Sequence, residues 1–143
     1  MIVMATNQPD QLDSAVKDRC DSQVLFPLPG YPERLQQLSH YWTTNIVQGA
    51  CQPKKSGLFS FFKQQRNLKI SDEILDNQIE ILKKVAEETE GLSGRGIFKL
   101  VTSWEQALYQ SVEGTLTKDM IDKNVARAVE EMKEKQVWEE LDQ

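Results

Sequence analysis

The sequence predicts a mainly α protein: a short opening portion of incomplete strands, then a four-helix region. Two observations lead there. Four stretches repeat apolar residues at helical spacing behind residues that start or cap helices, and two brief apolar runs near the beginning lack the further strands a stable sheet needs. A chain of 143 residues with 39% hydrophobic and 27% charged residues suits one globular domain with a modest core.

In "MIVMATNQPDQLD", Ile2, Val3, Met4 and Ala5 read as a buried strand that ends at Thr6-Asn7. Pro9 and Asp10 break it, and Leu12, Ala15 and Val16 give one apolar face to a short helix. Val24 to Phe26 form a second apolar run, closed by Pro27, Pro29 and Gly30. The first thirty residues thus read as strand, helix, strand. Two such strands are marginal in water, so this portion is expected to be poorly ordered or to pack opportunistically.

Pro32 suits a first helical turn, because its missing N–H has no intrahelical acceptor there, and Leu35, Leu38, Trp42 and Ile46 follow. This predicts a helix from about Pro32 to Val47. A second is expected after Ser71 as N-cap, with Asp72 and Glu73 in its first turn. Ile74, Leu75, Gln78, Ile79, Leu82 and Val85 should lie on one side, and Gly91 should end it. Ser93 should cap a third helix facing inward with Ile97, Leu100, Val101, Trp104 and Leu108. Thr117 should cap a fourth with Ile121, Val125, Val129 and Met132, and the charged "EEMKEKQVWEELDQ" reads as a solvated face. Four such helices with short connectors form a bundle.

Some chemistry is disfavoured. Cys20 and Cys51 stand alone, and His40 is the one histidine, so a zinc site is not expected. His40, among Leu38, Tyr41 and Trp42, reads as a packing residue. No run reaches the roughly 18 apolar residues of a membrane span, and no signal peptide is evident. Between about 50 and 69, Lys54, Lys55, Lys63, Arg66 and Lys69 interleave with Leu58, Phe59, Phe61 and Phe62 without an acid. In a chain of net charge -5 this is a local reversal. It suits a membrane surface, a nucleic acid or a neighbouring subunit, with a long loop tucked into the bundle as the plain alternative. A dedicated nucleic-acid binder fits poorly with the acidic balance.

"VMATNQPDQLD" followed by "DRCD" resembles the sensor-1 strand and arginine-finger region of AAA+ ATPases, and "EGLSGRGI" resembles their sensor-2 motif. More narrowly, "ATNQP", the "DR" ahead of "LPG", "TEGLSGR", Ser103-Trp104 and "GTLT" resemble the mitochondrial ATPase family AAA domain-containing protein 3 group. The resemblance implies that residues 1–30 are the last strands of a nucleotide-binding core and residues 31–143 a complete helical lid.

It further implies that Asn7 orients the attacking water and contacts the γ-phosphate, that Arg19 reaches a neighbouring subunit's site, and that Arg95 closes onto the γ-phosphate while Gly94 lets backbone approach the nucleotide. The alternatives are a turn-forming Asn7 and a surface ion pair of Arg19 with Asp18 or Asp21. The family usually has Glu where this chain has Gly96; with Ser93 as N-cap, that Glu would complete a capping box. A frayed helix start and a less well-positioned Arg95 are therefore expected.

The resemblance also implies that a complete chain uses ATP and Mg2+, assembles as a homo-oligomeric ring, and serves mitochondrial organisation at the inner membrane or nucleoid. The phosphate-binding pattern G-x-x-x-x-G-K-[ST] is absent from the 143 residues, and "SDEIL" reads as a helix start rather than a magnesium-binding motif. The isolated chain is expected neither to bind ATP tightly nor to hydrolyse it. The alternative is a non-enzymatic helical module that joins or inhibits rings of a complete relative.

Overall fold

A computed structural model describes residues 2–50 and 68–141. Its elements in chain order are a 3-10 turn at Pro9–Gln11, α1 (Ser14–Lys17), α2 (Tyr31–Tyr41), a π-helical continuation at Trp42–Ala50, β1 (Lys69–Ile70), α3 (Asp72–Glu88), α4 (Gly94–Gln110), β2 (Thr115–Leu116) and α5 (Lys118–Leu141). The architecture is mainly helical. Helix α2 packs on α3 and α4, and α5 closes the group against both.

Periodicity explains the core. On α4, Ile97, Leu100, Val101, Trp104 and Leu108 are all buried, as their spacing predicts. Leu38, Trp42 and Ile46 recur every fourth residue along α2 and its continuation and are buried against them. Trp42 and Trp104 meet edge to face, with ring centroids 6.1 Å apart. From α5, Ile121 and Val125 complete the core, while Val129 and Met132 pack at its margin.

The first long helix changes character at Trp42 where the sequence predicts an unbroken helix to Val47. The hydroxyls of Thr43 and Thr44 donate to the carbonyls of Ser39 and His40, at 2.9 and 3.0 Å. These are the acceptors an ordinary α-helix offers to the backbone four residues on; Ser39 and Thr102 make the same bond inside regular α-helix, so these bonds accompany the wider winding without explaining it.

Two further departures lie on α3. Leu75 and Ile79, expected inward, are exposed, whereas Ile81 is buried beside Ile74, Leu82 and Val85. Asn77 leaves helical geometry (φ -115°, ψ 19°) and its side-chain amide donates to the Glu73 carbonyl. The buried positions Ile74, Ile81, Leu82, Val85 and Ala86 keep ordinary helical spacing on both sides of Asn77, and Leu75 and Ile79 lie beside that stripe. Ser71 stands at the N-cap position, yet its side chain caps nothing and its hydroxyl is buried without a partner among the described residues. Its backbone N–H instead donates to the Leu116 carbonyl at 3.0 Å.

That bond belongs to a parallel ladder pairing Lys69 with Thr115 and Ile70 with Leu116, which ties the start of α3 to the start of α5. The Thr117 carbonyl accepts from the amides of Met120 and Ile121, opening α5 where the sequence places it. Gly91, beyond α3, has φ 88°, the left-handed geometry that glycine adopts without a Cβ penalty.

The opening portion departs from the strand reading of its two apolar runs, in keeping with the expectation that two such strands alone are too few for a sheet. Neither Ile2–Ala5 nor Val24–Phe26 pairs with another strand among the described residues, and both runs are exposed. Among the described residues of this portion, the 3-10 turn at Pro9–Gln11 and the short helix α1 are formed. Extended segments become strands by hydrogen bonding to neighbours, and the described residues present none to them.

Candidate functional site

The start of α4 is built by the sequence Leu92-Ser93-Gly94-Arg95-Gly96. Ser93 adopts extended geometry (φ -71°, ψ 163°) and its hydroxyl accepts from the Gly96 amide at 3.2 Å. The amides of Gly94 and Arg95, in the same first turn, have no intrahelical acceptor. A 17-residue helix thus aims its positive end and two open N–H groups outward at this point.

Arg95 is exposed and makes no ion pair among the described residues. It lines a cleft of about 500 Å³ between the start of α4 and the middle of α5, with Leu28, from the segment just before α2, also lining it. Lys99, Arg127 and Lys135 also line the cleft, against one acid, Glu131. The Arg127 guanidinium donates to the Asn124 side-chain oxygen at 2.7 Å, and the Asn124 amide donates to the Met120 carbonyl at 2.8 Å. Asn124 thereby orients Arg127 from the body of α5. In a chain of net charge -5, this cleft is a local positive field suited to an anionic group.

Asn7 and Arg19 do not line this cleft. Asn7 lies in an exposed bend, where the Thr6 hydroxyl accepts from the Gln8 amide at 3.0 Å. Arg19 is exposed just past α1; its amide donates to the Val16 carbonyl, and it pairs with neither Asp18 nor Asp21 among the described residues. Lys54, Lys55, Phe59, Phe61, Phe62, Lys63 and Arg66 of the basic aromatic stretch lie outside the described residues, as does Cys51. Cys20 is a free thiol beside the Val16 carbonyl.

The periodicity argument missed Arg34. Only 6% exposed, it donates from Nε to the Ala86 carbonyl and from Nη1 to the Pro29 carbonyl, both at 3.0 Å. The signal was present in the spacing, since Arg34 precedes Leu38, Trp42 and Ile46 at the same four-residue interval.

No family model matches the chain, and no solved structure matches it. Curated relatives do. An ATPase family AAA domain-containing protein 3 of Caenorhabditis elegans is 39% identical over 145 residues, covering 100% of this chain. The chain is a homologue of that group. The 3-A protein of Xenopus laevis is 37% identical and the human 3A protein 34% identical, each over 96% of this chain. The chain spans only about a fifth of these relatives' length, 22% and 21%. No described helix is long and apolar enough to cross a membrane.

Proposed function

We propose that residues 31–143 form the helical lid of an AAA+ ATPase and that residues 1–30 supply the last strands of its nucleotide-binding core. The observation that carries this reading is Arg95, exposed and without an ion pair among the described residues, at the positive end of α4 beside a cationic cleft, within a whole-chain similarity to relatives named as ATPases. The residues fit an anionic phosphate group: open amides of Gly94 and Arg95, and the Arg95 guanidinium. An alanine methyl at position 94 would make only ordinary contact with the Gln37 side chain, at 3.4 Å, so packing within the lid does not require glycine there.

On this reading ATP, held with Mg2+ by the complete chain, supplies the phosphoryl group. Arg95 stabilises charge on the γ-phosphate as the lid closes, Asn7 orients water, and Arg19 acts across a subunit boundary in a ring. By the same resemblance the whole protein serves mitochondrial organisation at the inner membrane or nucleoid. The 143 residues by themselves turn over no ATP, because they lack a phosphate-cradling loop.

The exposed runs Ile2–Met4 and Val24–Leu28 favour a second reading, in which the chain docks onto rings of a complete relative and inhibits them. One experiment separates the two. The chain replaces the matching segment of the Caenorhabditis elegans relative, and ATP turnover of the chimera is compared with that of the relative mixed with the free chain. Turnover by the chimera and no effect of the free chain support the lid; an inactive chimera and inhibition by the free chain support the docking module.

A further inference from the structure

Arg34 is a buried charge with no carboxylate partner among the described residues, an arrangement that costs desolvation unless strong acceptors replace water. Its acceptors are two carbonyls from separate parts of the chain. Ala86 lies in the last turn of α3, where carbonyls lack intrahelical donors and the helix end carries partial negative charge. Pro29 belongs to the strap that leads from the opening portion into α2.

We propose that Arg34 is a positioning residue, a clasp that fastens the strap to the α3–α4 turn so that the joint between the two portions of the chain lies N-terminal to Pro29. The turn beyond Ala86 is fixed in sequence. The buried Thr89 donates its hydroxyl to the Val85 carbonyl at 2.7 Å, its carbonyl accepts from the Leu92 amide, and Ser93 then starts α4 and Arg95. Leu28, immediately before the clasped proline, lines the same cleft as Arg95. The strap and the helix start bearing Arg95 therefore move as one body. Its consequence for turnover rests on the lid reading, whereas the clasp itself is tested without nucleotide.

The test is residue-resolved amide exchange and methyl relaxation on the 143-residue chain and two variants. In Arg34→Gln, the amides of Thr89 and Leu92 should exchange roughly tenfold faster or more, the scale set by losing hydrogen bonds from a charged donor, and the Leu28 methyls should become disordered. Amides of Trp104 and Leu108 should be unaffected. In the second variant, two glycines inserted between Pro29 and Gly30 displace only the strap; Leu28 should loosen while Thr89 keeps its protection.

Unchanged Thr89 and Leu92 exchange in Arg34→Gln, or an equal rise at Thr89 and Trp104, would overturn the clasp. Should Arg34→Gln fail to fold, the insertion decides: loosening Thr89 along with Leu28, or loosening neither, contradicts the proposal. None of these readouts depends on ATP, so a failed clasp and a failed lid assignment give different results.

Discussion

Phe26 is 88% exposed and Trp104 is 0% exposed, although both are large aromatic residues preceded and followed by apolar neighbours nearby in the chain. The difference lies in how each segment satisfies its backbone. A helix closes its own hydrogen bonds and needs neighbours only for its apolar stripe, which α2 to α5 provide for one another. An extended run needs neighbours for both purposes, and the opening portion has none to offer itself. Burial among the described residues of α2 to α5 is therefore self-contained. That of residues 2–30 depends on contacts beyond those described.

Substitutions should separate the two portions cleanly. Trp104→Ala empties the centre of the bundle and should cost about 3–5 kcal/mol, read as a lowered denaturation midpoint. An equally large effect of Phe26→Ala in the same assay would break the contrast, since an exposed side chain should change stability by less than about 0.5 kcal/mol. Gly91→Ala should cost about 1–2 kcal/mol, because φ there is 88° and the new methyl would lie 3.1 Å from the Met132 sulfur.

Smaller effects sharpen the account at the start of α4. Ser93→Ala removes the acceptor of the Gly96 amide and should lower stability by about 1 kcal/mol in urea unfolding. Gly96→Glu should slow amide exchange in the first turn of α4 by restoring the reciprocal capping bond, once Leu92, 3.0 Å from the new Cβ, shifts. Faster exchange in that variant than in the parent would count against a frayed start.

What the sequence revealed followed from whether a signal was local. The inward face of α4 could be read because its period is unbroken. On α3 the stripe was misassigned because Leu75 and Ile79 are apolar but sit one position beyond Ile74 and Gln78, so apolar character alone does not mark the inward face. The ladder between β1 and β2 involves two residues on each side, too few for alternation to show. Arg34 occupies a buried stripe position, but an arginine there counts as polar until its carbonyl partners are known. In the candidate site, Ser93-Gly94-Arg95 was legible from its motif. Arg127, Asn124 and Lys135 were not, because they join Arg95 only through the packing of α5 on α4.

The most direct test of the lid assignment is Arg95→Ala in the chimera with the Caenorhabditis elegans relative, followed by single-turnover ATP hydrolysis. Removal of one charge-stabilising donor from the phosphoryl group should slow hydrolysis by about 10²-fold or more while the bundle's denaturation midpoint stays unchanged. An active chimera whose hydrolysis rate is the same with alanine at position 95 would contradict the assignment.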